Sequence, residues 1–372
     1  MGKAVIVAGH ICIDITPVFP EGKREKISDI LMPGKLIETK SVSVSTGGTV
    51  ANTGLAMKLL GADVRLMGKV GKDDFGEMIC SILKRYEAGN DMIMAEDVVS
   101  SYSVVIAIPG IDRVFLHCPG ANDTYTAADL PKERLQETDL FHFGYPPLMQ
   151  SMYIDSGSGL LEIMKLAKSC GCATSLDMAA VDPNSEAGRA DWFSILKKVI
   201  PYTDFFVPSI EELCYMIDRE RFEEWQKRAG GRDITEVIEL EGDIRPLADK
   251  CMELGCKVLL LKCGAPGLYF RTAPEKVIKE IPDRLGLDAT AWAGREGFEK
   301  SYKPDRILSG TGAGDTSIAA FLTAMLEGDT PEECVRLAAA EGACCVSAYD
   351  ALSGLLPLNE LKARIEKGWE KN

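Results

Sequence analysis

The run Ser309-Gly310-Thr311-Gly312-Ala313-Gly314-Asp315 sets a carboxylate directly behind a glycine-rich turn. The residues that follow, Ile318, Phe321, Leu322 and Met325, fall at the i, i+3, i+4 and i+7 spacing of one buried helical face, so the turn leads into a helix. At a helix N-terminus the first backbone N–H groups lack internal partners and the helix dipole is positive, so phosphate is held there without a basic side chain. A carboxylate beside such a site can take the proton of an alcohol. The same residues also suit a plainer purpose, glycines that make a turn and an Asp that charges the first helical turn. Short glycine motifs do not by themselves decide between the two.

A second polar cluster lies in the first half of the chain: Gly47-Gly48-Thr49-Val50-Ala51-Asn52, then Gly61, then the run from Gly68 to Gly76. Paired glycines before a helix let a ligand approach backbone amides, and Asn52 can both donate and accept toward hydroxyls. Asp14 closes an apolar run that starts at Val5. In open α/β sheets ligands bind outside the carboxyl ends of the strands, so Asp14 is placed to accept hydrogen bonds from a substrate. A strand-to-helix turn and a loop Asp are the bland alternatives.

Other chemistries lack their residues. There is no Gly-x-x-x-x-Gly-Lys-Ser/Thr phosphate loop and no Gly-x-Ser-x-Gly nucleophile turn. Three histidines form no evident metal set with the cysteines. The Gly310, Gly312, Gly314 spacing mimics a dinucleotide fingerprint but lacks its last glycine and the acidic strand end that should follow.

These residues need a frame. Val5 to Ile15 begins as a near-continuous apolar run, the pattern of a strand covered on both faces. Strand-length runs at Val64 to Met67, Thr174 to Leu176 and Lys257 to Leu261 each follow a helical stretch, Ala51 to Leu60, Leu160 to Ser169 and Pro246 to Leu254. Alternating helix and strand predicts a layered α/β fold with a mostly parallel sheet. Leu36 to Ser45 alternates, and Tyr102 to Cys118 reads as two strands around a turn at Pro109-Gly110-Ile111-Asp112. We expect a small β flap from these antiparallel strands, roughly residues 15–46 and 100–120, embedded in a single domain of residues 1–372. Such a flap would cover a site or pair two subunits as a homodimer. Asp218 to Asp243 and Arg284 to Asp305 are polar or irregular and read as insertions.

The chain is 372 residues long with 46% hydrophobic residues, the composition of a globular protein with a sizeable core. A formal charge of −14 argues against broad binding to nucleic acid or anionic membrane, while leaving local binding of a nucleotide open. The twelve cysteines are scattered, mostly in apolar surroundings, with no Cys-x-x-Cys pairing, which predicts reduced thiols and a cytoplasmic protein. The N-terminal run is broken by Gly9, His10 and Asp14 and fits neither a signal peptide nor an anchor, and no window reaches the length of a membrane helix.

Taken in order, these pieces resemble the PfkB family of carbohydrate kinases, the ribokinase-like fold. The resemblance rests on Gly9 with Asp14, Gly47-Gly48 with Asn52, Gly61 and Gly71, Gly120-Ala121-Asn122, Glu212, Gly264 with Gly267, and Gly312-Ala313-Gly314-Asp315. It spans nearly the whole chain and implies a three-layer α/β/α fold that transfers phosphate from ATP to an alcohol of a sugar, nucleoside or similar polyol. It implies that Asp315 is the general base and that Gly312, Ala313 and Gly314 form the anion hole. It assigns Asp14, Gly47, Gly48 and Asn52 to the substrate, Lys262, Gly264, Gly267 and Ser209 to the nucleotide, and Glu212 to Mg²⁺ through water, with Asp177 as a further acid nearby. Two departures stand out. Ser209 replaces the Asn usual three residues before the glutamate, and Ser309-Gly310 replaces an Asp-Thr pair near which several relatives bind a monovalent cation, so K⁺ dependence stays open. Tyr145 and Phe115 are the side chains that would separate a sugar from a nucleoside by stacking. A catalytically silent sugar-binding regulator on the same scaffold remains the alternative from another class.

Overall fold

The computed structural model describes residues 2–20, 22, 27–108 and 114–372. In chain order its strands are β1 (Ala4–Gly9), β2 (Cys12–Val18), β3 (Ser41–Gly47), β4 (Asp63–Met67), β5 (Lys69–Gly71), β6 (Ile93–Ala95) and β7 (Tyr102–Ile106). They continue with β8 (Val114–Cys118), β9 (Leu140–Gly144), β10 (Ala173–Leu176), β11 (Phe205–Phe206), β12 (Val258–Lys262), β13 (Gly267–Thr272) and β14 (Glu296–Lys300).

Eight strands form one sheet in the order β14-β13-β12-β11-β10-β9-β1-β4. The six from β12 to β4 run parallel, and β13 and β14 close one edge in antiparallel pairing. The near-continuous apolar strands follow from this, because both faces are covered. Val5 and Val7 of β1 enter one core with the helices Thr49–Leu59, Ala313–Glu327 and Pro331–Cys345, while Ile6 and Ala8 enter the opposite core with Ser158–Ser169 and Ile210–Ile217. The two cores make the three-layer α/β/α arrangement expected from the sequence.

The apolar run from Val5 is two strands, not one. Gly9 has φ +121°, and a Cβ there would lie 2.3 Å from the Gly144 carbonyl oxygen, so the chain leaves the main sheet at this close approach. Asn122 accepts from the Ile11 N–H and donates to the Ile11 carbonyl, which satisfies the backbone across the break. Asp14 therefore does not close a strand of the main sheet; it lies inside β2, in a second sheet ordered β3-β2-β7-β8.

That second sheet is antiparallel at β2–β3 and β7–β8 but parallel at β2–β7, and β3 begins only at Ser41, with Leu36 fully exposed before it. The turn expected at Pro109 to Asp112 lies outside the described residues. Arg284 to Asp305 is not merely an insertion: it supplies β14, the edge of the main sheet. In 218–243 a helix, Arg219–Ala229, docks through buried Trp225, whose indole N–H donates to Asp243 Oδ1 at 2.8 Å. Among the described residues no helix is long and apolar enough to cross a membrane.

Candidate active site

The carboxyl ends of β1, β9, β10 and β12 deliver Gly9, Gly144, the segment before Asp177, and Lys262 to one rim of the sheet. Two helix N-termini arrive at the same rim. One begins at Thr49 after Gly47-Gly48, the other at Ala313 after Gly312, and the two helices pack against each other.

Asp315 sits in the first turn of the second helix, only 4% exposed. Its carboxylate accepts from Asn52 Nδ2 at 3.0 Å and Thr53 Oγ1 at 3.1 Å, both on the facing helix, and from the Tyr145 hydroxyl at 2.8 Å to each oxygen. Burial raises its pKa above the ordinary Asp value, opposed by the positive charge of Lys262 and by these three hydrogen bonds. Burial and the charge of Asp315 push the Tyr145 phenol well above its usual range, so it remains a donor.

Gly312 is left-handed, with φ +79°, and a Cβ there would lie 2.3 Å from the Ala351 Cβ, so glycine is required by the turn itself. The Cys345 thiol braces the same turn by donating to the Thr311 carbonyl at 3.4 Å. Among the described residues the N–H groups of Gly314 and Asp315 reach no acceptor, leaving them directed out of the first turn.

Lys262 Nζ stands 2.6 Å from Asp177 Oδ1. Burial works against charge on this lysine, yet Asp177, then Glu212 and Asp315, hold it above the ordinary Lys range. Asp177 is pushed up by its burial and by the neighbouring carboxylates, despite Lys262. The alkyl stem of Lys262 passes within 3.4 Å of where a Gly314 Cβ would be, so the ammonium lies beside the glycine turn.

The remaining predicted residues divide. Gly47 lies against Asp14, since a Cβ would fall 2.3 Å from Asp14 Oδ2, and Gly48, with φ +86°, lies against His10. Asp14 itself is held up by burial and accepts from the Cys12 thiol at 3.3 Å. Ser209 and Glu212 form a reciprocal helix cap: Glu212 Oε2 accepts from the Ser209 N–H at 2.8 Å, and Ser209 Oγ accepts from the Glu212 N–H at 3.2 Å. Gly264 and Gly267 build the tight β12–β13 turn, with φ of +64° and +139°. Phe115 lies half exposed on β8.

Sequence reasoning passed over Thr53 and the histidines. Thr53 carried a usable signal, since it neighbours Asn52 on a first helical turn. His142 is fully buried between Ser175 Oγ at 2.9 Å and Thr49 Oγ1 at 3.3 Å, and His10 pairs with His117 at 3.3 Å between Nε2 atoms.

Among the described residues no three His, Cys, Asp or Glu side chains converge to cage a metal. Asp177 Oδ2 is buried without a partner among those residues. Mg²⁺ commonly takes one or two carboxylates with phosphate and water oxygens, so Asp177 and Glu212 fit an ion that arrives with a nucleotide.

A model of the pfkB family of carbohydrate kinases matches residues 7–357. The chain belongs to this family. The chain is similar to an uncharacterized sugar kinase of Archaeoglobus fulgidus, 24% identical over 306 residues that cover 81% of this chain and 98% of that one. Fructokinase-2 of Oryza sativa is 23% identical over 333 residues, 86% of this chain and 84% of its own. Among solved structures, Arabidopsis thaliana ribokinase complexed with ribose and ATP superposes with a TM-score of 0.71 at 20% identity, covering 98% of both chains. Fructokinase with bound ATP from Xylella fastidiosa gives 0.70 at 17% identity, covering 99% of both. The fold is thus the ribokinase-like one and the chain is a carbohydrate kinase of the pfkB family.

Proposed function

We propose that the protein transfers the γ-phosphoryl group of ATP to a hydroxyl of a sugar or similar small polyol, with Asp315 as general base. The observation that carries this reading is the placement of a buried carboxylate, held by Asn52, Thr53 and Tyr145, in the same helical turn as the N–H groups of Gly314 and Asp315, which reach no acceptor among the described residues. In this reading the acceptor oxygen bonds to the γ-phosphorus, its proton passes to Asp315, and the bond to the β–γ bridging oxygen breaks with its electron pair leaving on ADP. The turn 312–314 receives charge on the transferred group, and Lys262 adds a cation beside it. That matches a reaction in which positioning and electrostatics do most of the work. Bound Mg²⁺ would neutralise phosphate oxygens, with Asp177 and Glu212 as the carboxylates in reach.

Asp14 and the Gly47-Gly48 turn, with Asn52, form the wall proposed for the acceptor, and the β12–β13 turn that for the nucleotide. Relatives named fructokinase and ribokinase favour a sugar over a nucleoside. We further take 1–372 as one domain with the β2-β3-β7-β8 sheet as its lid, acting in the cytoplasm. Val42 and Val44, exposed on one face of β3, suit pairing with a second copy, which sedimentation of the Val44→Glu variant tests by loss of dimer. The function is tested by ADP release against pentoses, hexoses, hexose phosphates and nucleosides, with and without K⁺. Absence of acceptor-dependent release across the panel would overturn it in favour of a silent sugar-binding regulator.

A further inference from the structure

Asp315 is crowded on the side where an acceptor must come. Asn52 and Thr53 each take one oxygen, and the Tyr145 hydroxyl bridges both at 2.8 Å. A general base needs the reacting hydroxyl within about 2.6–3.2 Å. The phenol therefore stands where that hydroxyl would stand.

The backbone holds the phenol there against its preferences. Tyr145 has φ 65° and ψ 39°, one of few non-glycine residues in the left-handed region among those described. It also precedes Pro146, and a residue before proline is normally driven to extended conformations. Strain of this kind persists where surrounding structure imposes it, and it clusters at functional sites. Gly144 before it is packed against Thr49, with no room for a Cβ, and Pro146 and Pro147 after it are buried, so both flanks are fixed. The Tyr145 side chain keeps partial exposure, as a group at the edge of a cleft does.

We propose that Tyr145 is a gate on the base: its hydroxyl denies Asp315 to water and yields it to an acceptor whose binding displaces the phenol. The inference rests on Asp315 being the base of the proposed kinase reaction. Water is the competing acceptor at such a site. Its oxygen would bond to the γ-phosphorus, its proton would pass to Asp315, and ADP and inorganic phosphate would leave. A lone water lacks the further hydroxyl contacts to Asp14 and Asn52 that a polyol brings, so it cannot compete with the phenol.

The test is ADP release with and without an acceptor identified from the panel, for wild type, Tyr145→Phe and Tyr145→Asn. The Phe variant keeps the ring and loses the hydroxyl. The Asn variant removes the phenol with a residue that tolerates left-handed backbone, which guards against a folding failure of the first. The acceptor-free rate is expected to rise about tenfold in both, the order expected on losing one hydrogen bond to a charged group. Adding Asp315→Asn to Tyr145→Phe should abolish the rise. A folded variant that turns over the acceptor but hydrolyses ATP no faster than wild type overturns the gate, as does a rise that survives Asp315→Asn. Failure of the kinase reading shows separately, as wild-type protein that releases no ADP with any acceptor.

Discussion

Lys262 and Asp177 meet at 2.6 Å across the carboxyl ends of β12 and β10, with β11 between them. The pair is nearly closed off from water, the side chains 12% and 1% exposed, and Glu212 and Asp315 add negative charge around it. Removing one partner of a buried pair costs on the order of 3–5 kcal/mol, because the other charge stays uncompensated. Lys262→Met should lower the unfolding free energy toward that range, less whatever Asp177 recovers by taking up a proton. The double variant Lys262→Met with Asp177→Asn should regain most of the loss. Denaturant midpoints check both, and a single variant as stable as wild type would show that the lysine is not neutralising this cluster.

Asp315→Asn tests the base without breaking the site. The amide keeps the shape of the carboxylate, and hydroxyl groups at Thr53 and Tyr145 can rotate to meet its N–H. Turnover should fall about 10²–10⁴-fold, the usual contribution of a positioned base, while the KM for ATP changes little. Retained turnover in that variant would remove Asp315 from the chemistry.

Legibility in the sequence followed periodicity. The helix behind Gly312 was readable because its apolar residues keep a 3.6-residue rhythm, and β12 because a strand covered on both faces is apolar throughout; β4 and β10, interrupted by Arg65 and by Thr174 and Ser175, were readable from their place after a helical stretch. Gly9 and His10 interrupt the apolar run, but that β2 enters a second sheet there was not readable, since Ile11, Cys12 and Ile13 resume the run; the contact of Gly9 with Gly144 reveals the turn. β14 was missed because Glu296, Glu299 and Lys300 give an edge strand the composition of a loop. At the site, Asp315, Asn52 and Lys262 carried motif or spacing signals. Tyr145 carried none that points to Asp315, because the two lie 170 positions apart and meet only through the packing of β9 against the helices.

Gly312 and Gly314 should separate packing from chemistry. Gly312→Ala places a Cβ 2.3 Å from that of Ala351 on left-handed backbone, so stability and activity fall together. Gly314→Ala meets only the Lys262 stem at an ordinary 3.4 Å, on a helix where alanine is favoured by up to about 1 kcal/mol. Its thermal midpoint should hold or rise, while the added methyl beside the free N–H groups lowers turnover at least about tenfold through lost stabilisation of the transferred group. If Gly314→Ala were fully active, the turn would not contact that group.

His142 makes a pH prediction with a definite sign. Burial, and secondarily the positive charge of Lys262, lower its pKa to about 3 in the folded protein, against about 6.5 unfolded. Between these values the unfolded chain binds a proton that the folded one refuses, so this group's contribution is intact above pH 6.5 and is lost as pH falls toward 3. At about 1.4 kcal/mol per pH unit, His142 alone should cost roughly 2 kcal/mol of stability between pH 7 and pH 5. Asp177 and Asp315, whose pKa values are raised, bind protons more readily when folded and act in the opposite direction. The comparison must therefore be differential. Unfolding free energies of wild type and His142→Gln, measured from pH 7 to pH 5, should converge as pH falls, the variant losing less. Parallel curves would mean that His142 binds protons in the folded protein as readily as in the unfolded chain.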